Sequence, residues 1–181
     1  MIECRAGNEN FDLRPGLKRT PKRMAEAFNF LTKGYDEDPN DYLKVVFDEE
    51  VNDIVIIDNI DFFSLCEHHL LPFYGLFHVG YLPNNKGQVL GASKIPWAVQ
   101  VFARRLQNQE RLGTQIADAI MNSPAQPKGV IVFGEAIHLC MRMRGVESSQ
   151  SVMRTYAARG EFKNDSSLES RFYQMLKAGR L

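Results

Sequence analysis

Apolar residues recur along the chain with two different periods, and the order in which those periods alternate predicts the architecture. Met24, Ala27, Phe28 and Leu31 follow Thr20-Pro21 as one apolar stripe of a helix, with Thr20 as N-cap, Pro21 at the first position and Gly34 as the stop. A short second helix is expected between Asp36 and Phe47. Ile54-Val55-Ile56-Ile57 is a β-branched run that reads as a buried strand, continuing through Ile60 to Phe63. Phe73 to Leu82 reads as a second strand, closed by the turn Pro83-Asn84-Asn85-Lys86-Gly87, and is expected to pair antiparallel with the first. Two helices follow, one starting near Ser93 with Val99, Phe102, Ala103 and Leu106 on a face, the other carrying Leu112, Ile116, Ala119 and Ile120. A third strand begins near Val130, and its last part alternates: Ile137, Leu139, Met141 and Met143 one way, His138, Cys140, Arg142 and Arg144 the other. A fourth strand spans Ser151 to Ala158, and Ser166-x-x-Glu169 reads as the capping box of a last helix bearing Leu168, Phe172 and Met175. The order α-ββ-αα-ββ-α predicts an α+β fold, preceded by a polar arm over residues 1–16.

Composition narrows the class without changing that picture. The chain has 181 residues, 44% hydrophobic and 24% charged, which suits one domain with a core of its own. Its 22 basic and 22 acidic residues cancel, so nothing global points to nucleic acid or an anionic membrane. No apolar run approaches the roughly 20 residues that span a bilayer, and the first residues lack a signal peptide's apolar core. Three cysteines make a poor disulfide framework, so a reducing, cytoplasmic compartment is expected.

The chemistry concentrates in Cys66-Glu67-His68-His69, which holds two of the chain's four histidines. Cys66-x-x-His69 has the spacing at which a thiolate and an imidazole turn onto one ion. His138 and Cys140 supply a second half-site. Cys66, His69 and Cys140 therefore read as ligands of a catalytic zinc, with His68 and His138 beside it for proton transfer. Two Cys and one His leave a tetrahedral ion one open position, the mark of a catalytic site. The alternative is a closed structural zinc with His68 or His138 as fourth ligand. Lys94 and Arg144 are cations able to gather a polyanion, and Glu110 can accept two hydrogen bonds from a planar donor edge such as guanine. Arg23 stands in the first turn of the first helix, where an anion site is one reading and an exposed charge the other. Cys4 carries no assigned role, and His78, midway along a strand, reads as a structural histidine.

Several blocks resemble the GTP cyclohydrolase I family: Ser64-Leu65-Cys66-Glu67-His68-His69-Leu70, Gly91-Ala92-Ser93-Lys94-Ile95, Arg105-Leu106-Gln107-Asn108-Gln109-Glu110-Arg111-Leu112, and His138-Leu139-Cys140-Met141-Arg142-Met143-Arg144. The resemblance runs from about Leu17 to the last helix. It implies the tunnelling fold, a ββααββ antiparallel sheet with two helices, here residues 51–181. The N-terminal arm and helices would be 1–50. It implies zinc on Cys66, His69 and Cys140, and hydrolytic opening of the guanine ring of GTP to give 7,8-dihydroneopterin triphosphate and formate. That step begins tetrahydrobiopterin and folate pterin synthesis. His68 and His138 would move protons, Gln109 and Glu110 would recognise guanine, and Ser93, Lys94, Arg144 and Arg23 would surround ribose and triphosphate. The implied assembly is a homodecamer with active sites between subunits, and a feedback regulatory protein is a further partner it raises.

The chain departs from the family pattern at the phosphate end. Trp97 stands where a triphosphate-binding arginine is usual, Met153 and Tyr156 replace a Thr and a Ser, and Ala92 and Gly113 replace a Leu and a Thr. An indole cannot donate paired charged hydrogen bonds. The competing expectation is thus a diverged paralogue of low or no activity that assembles with or regulates an active cyclohydrolase.

Overall fold

In the computed structural model, which describes residues 14–178, the apolar runs become a sheet and the helical stripes close over it. In chain order, helix α1 (Thr20–Thr32), a 3-10 turn (Lys33–Asp36), α2 (Asn40–Leu43) and β1 (Val46–Asp48) come first. Strands β2 (Val55–Cys66), β3 (Pro72–Leu82) and β4 (Gln88–Leu90) follow, then α3 (Lys94–Ala103), β5 (Leu106–Gln107) and α4 (Gln109–Met121). The chain continues through β6 (Gly129–His138), α5 (Leu139–Arg142), β7 (Met153–Gly160), α6 (Glu161–Asn164) and α7 (Ser166–Ala178).

The main sheet has the order β5-β2-β3-β6-β7. All its pairings are antiparallel except the short one that sets Leu65 and Cys66 beside Leu106 and Gln107. β2 and β3 are hairpin neighbours, as their closeness in sequence predicts, and a bulge between Ile57 and Ile60 bends the pair. Asn59 takes a left-handed φ of 54° there, a conformation that asparagine tolerates. β1 and β4 form a separate two-stranded ribbon.

Period-two alternation divides the sheet between two cores. Phe77, Val79 and Tyr81 on β3, with Val130 and Val132 on β6, join Ile95, Val99, Phe102, Leu112, Ile116 and Ile120 of α3 and α4. The intervening Leu82 and Ile131 join Phe162 and Phe172 in a second cluster beneath α6 and α7. Gly80 opens the second face: a Cβ there would stand 2.7 Å from the Phe172 ring. Phe172 has no exposed surface. Phe172→Ala should therefore cost about 3–5 kcal/mol, read as a lower midpoint in urea denaturation.

Four local expectations are corrected. Thr20 is the first helical residue of α1, with Arg19 at the N-cap and no side-chain cap; its hydroxyl donates back to the Gly16 carbonyl instead. Helix between Asp36 and Phe47 shrinks to Asn40–Leu43, because Val46–Asp48 is drawn into pairing with β4. Asp165, not Ser166, caps α7, accepting from the Ser167 N–H at 2.8 Å; the Ser167 hydroxyl and then that N–H hold its carboxyl below the usual range. Strand β6 ends at His138; Leu139–Arg142 turns into a helical segment, so Cys140 does not continue the His138 face. The stripe on α1 exists, yet no residue of α1 is buried, and Phe30 is 58% exposed. Cys4 lies outside the described residues.

His78 behaves as the structural histidine its position suggests. Its Nδ1 accepts the Asn59 N–H at 3.3 Å, and its ring stacks on Phe133. Burial holds its pKa below the ordinary 6.5, against the opposing pull of Glu135 and Asp58. Between the depressed value and the ordinary one, the unfolded chain binds a proton that the folded chain refuses. Its contribution is thus complete above about pH 6.5 and declines as the pH falls through the folded value. Urea midpoints at about pH 5 and about pH 7 should differ less in His78→Gln than in the parent.

Candidate active site

Cys66 is the last residue of β2, and the chain reverses immediately after it. The Cys66 carbonyl accepts the N–H of His69 and of Leu70, and the Cys66 N–H donates to Leu71. Leu70 closes the turn at φ 53°. This tight reversal brings the His69 Nδ1 to 3.7 Å from the Cys66 Sγ. A tetrahedral zinc with ordinary bond lengths needs a sulfur-to-nitrogen edge of about 3.6 Å.

Cys140 reaches the same place from the other side of the sheet end. β6 pairs with β3 up to Phe73 opposite His138, and α5 then folds Cys140 inward. The donor atoms of Cys66, His69 and Cys140 all lie within 4.8 Å of one another. Burial pushes the Cys140 thiol up, and the adjacent Cys66 sulfur pushes it the same way. Two thiolates at this separation need a cation between them, and a divalent ion supplies it. The residues thus fit a zinc ion. Arg144, one turn beyond Cys140, places its Nη1 3.2 Å from the His69 Nε2 and 3.4 Å from the Cys140 carbonyl.

Neither His68 nor His138 joins the donor group. The His68 side chain is 65% exposed, its Nδ1 3.8 Å from the Cys66 Sγ and its Nε2 3.7 Å from the Glu67 carboxylate. His138 is buried and stacked nearly flat on Phe73, with ring centroids 4.6 Å apart. Its Nε2 lies 2.9 Å from the Gln109 Oε1. The Gln109 amide nitrogen donates to the carbonyls of Gly134 and Met153 and to the Thr155 hydroxyl, each at 3.1 Å. Reversing that amide would set its oxygen against two carbonyls, so its orientation is fixed. An amide oxygen only accepts; the proton of neutral His138 therefore sits on Nε2, leaving Nδ1 as the basic nitrogen. Burial lowers the His138 pKa, with the Glu110 charge opposing. Glu110 itself is exposed in the first turn of α4.

The remaining predicted residues lie elsewhere in this chain. Ser93 and Lys94 stand at the start of α3, whereas its last residue, Ala103, leads into β5 beside Cys66. Ten helical residues separate those ends by about 15 Å. Trp97, on the same helix, is 51% exposed and stacks on Tyr42, with ring planes 8° apart. Arg23 is exposed on α1.

Residue patterns gave no role to Glu67, Arg111, Asn108 or Thr155. The Glu67 carboxylate pairs with both terminal nitrogens of Arg111 and accepts from Asn108. Arg111 holds the Glu67 carboxyl below the usual range. An acid inside a Cys-x-x-His turn is a hint, yet its partner lies 44 positions away among ordinary surface charges.

Fold and donor set together define a class, a ββααββ protein of the tunnelling-fold type with a Cys-His-Cys group suited to a metal ion. Comparison with known proteins makes this specific. The family model of GTP cyclohydrolase I matches residues 6–177. The GTP cyclohydrolase 1 of Porphyromonas gingivalis is 52% identical over 157 residues, covering 86% of this chain and 80% of that protein. That of Chlorobaculum tepidum is 50% identical over 164 residues, 90% of this chain and 72% of its own. That of Campylobacter jejuni subsp. doylei is 45% identical over 181 residues, 99% of this chain and 92% of its own. The chain belongs to the GTP cyclohydrolase I family and is an enzyme of that kind. The crystal structure of an apo archaeosine synthase QueF-Like protein matches with a TM-score of 0.49 at 16% identity, over 62% of this chain and 97% of that one. Among the described residues no helix is long and apolar enough to cross a membrane.

Proposed function

We propose that the protein converts GTP and water to 7,8-dihydroneopterin triphosphate and formate, using zinc held by Cys66, His69 and Cys140. The observation that carries this reading is the convergence of those three donors within 4.8 Å beside a histidine whose tautomer is fixed. Zinc, when bound, supplies Lewis acidity that makes water a usable nucleophile near neutral pH. His138 takes up and returns protons at Nδ1, while Gln109 holds its ring in place. His68 exchanges protons with solvent from its exposed position. Glu110 accepts the paired N–H edge of guanine, and Arg144 meets the negative end of the nucleotide.

Ser93, Lys94 and Arg23 act from a neighbouring copy in this reading. The separation of about 15 Å along α3 supports that assignment. So do Met24 and Phe30, the exposed large apolar residues of α1, which a second copy would cover. The assembly is a homo-oligomer, a decamer by family resemblance, with residues 1–50 as an extension of the catalytic unit 51–181. Its setting is the cytoplasm and its product feeds pterin synthesis.

Stripping metal with a chelator should lower formate release from GTP by about 100-fold or more, and added zinc should restore it. Formate release that persists in verified metal-free protein would remove the metal from this account.

A further inference from the structure

The ion pair between Glu67 and Arg111 has no part in the chemistry described above, yet it touches both halves of the site. Glu67 sits between the donor Cys66 and the proton-transfer residue His68. Its Oε1 accepts from Arg111 Nη1 at 3.3 Å and from Asn108 Nδ2 at 3.4 Å, and its Oε2 accepts from Arg111 Nη2. Every nitrogen of the guanidinium is used, because Nε donates to Gln107 Oε1 at 3.0 Å and Nη2 also donates to the Leu106 carbonyl at 3.2 Å. Asn108 is the N-cap of α4, and its oxygen accepts the Arg111 N–H at 2.8 Å while its nitrogen holds Glu67. The next residue is Gln109, which orients His138. Behind this cluster the Leu106 N–H donates to the Tyr35 hydroxyl at 3.2 Å, tying in the extension.

We propose that Glu67 and Arg111 are positioning residues that set the Cys66–His69 turn at a fixed spacing from the start of α4. The metal donors and the Gln109–His138 pair are thereby held in one geometry. An exposed ion pair usually contributes little to stability. Here the Glu67 and Arg111 side chains are 31% and 40% exposed, and the β2–β5 pairing already anchors the strand end. What the pair adds is orientation: a planar fork grips a carboxylate in a fixed plane, which a lysine cannot do. The inference rests on the function proposed above for the meaning of the site, but its main readout does not need turnover.

The test compares Glu67→Gln, Arg111→Met and Arg111→Lys with the parent, all as full chains. Zinc affinity is measured by competition with a chromogenic chelator, and the cobalt(II)-loaded proteins are compared by their thiolate-to-cobalt and d–d absorption. Thermal melting and the kinetics on GTP complete the set. Glu67→Gln and Arg111→Met should bind zinc about 10–100-fold more weakly. Their cobalt spectra should change, and kcat should fall about tenfold or more with KM within about threefold. Arg111→Lys should resemble Arg111→Met rather than the parent. Melting temperatures should stay within about 3 °C of the parent. Folded variants with parental zinc affinity and cobalt spectra would overturn the proposal, as would losses of affinity that track losses of melting temperature across the set. Should Arg111→Met fail to fold, the other two variants decide. A parent that binds zinc but releases no formate from GTP would defeat the proposed function and leave this test intact.

Discussion

Cys140→Ser should yield a folded protein that holds zinc poorly and turns over GTP more than about 100-fold slower, beyond the usual cost of losing an outer contact to a metal ligand. A serine hydroxyl does not ionise near neutral pH and is a poor match for an ion already facing Cys66 and His69. The substitution should spare the fold, since Cys140 is only half-buried on the short turn α5, at the margin of the main core, and serine is close to it in size. Metal content by elemental mass spectrometry, activity and thermal melting together check this. Full zinc occupancy in the variant would take Cys140 out of the ligand set.

His138→Ala should lower kcat by about 10²–10⁴-fold, the range of a positioned general acid or base, while zinc content stays at the parental level. His138 stays neutral to lower pH than an ordinary imidazole, because burial opposes its charging. Turnover that needs the basic Nδ1 should therefore persist as the pH drops below about 6.5 and fail only as it passes the depressed pKa. Gln109→Ala should shift kcat in the same direction, because it frees the ring that the amide now pins. A His138→Ala variant with parental kcat would leave the proton transfers to His68 and solvent. The alanine also removes the ring stacked on Phe73, so melting must be measured beside rate.

Much of this arrangement was legible in the residues, for physical reasons that also mark where legibility stopped. Long elements announced themselves: the Leu112, Ile116 and Ile120 spacing of α4 and the β-branched opening of β2 each admit one period. Over the few residues from Leu139 to Arg142 an alternating pattern fits strand as well as turn, and the structure takes the turn, which carries Cys140 to the other donors. Cys66, His69 and Cys140 stood out because cysteine and histidine are scarce in the chain and cluster. Glu67 and Arg111 did not, since either charge alone looks like ordinary surface and only the β2–β5 contact makes them neighbours. Trp97 reads in the sequence as a missing arginine. Its stacking on Tyr42 depends on a packing of α2 against α3 that no local pattern encodes.

The most direct test of the central claim is mass analysis of the product formed from GTP by the zinc-loaded, full-length protein. The expected product is a triphosphate lighter than GTP by one carbon and one oxygen atom, formed together with one formate, and fluorescent after oxidation. GTP recovered unchanged with zinc fully bound, or cleaved only at its phosphates, would contradict it.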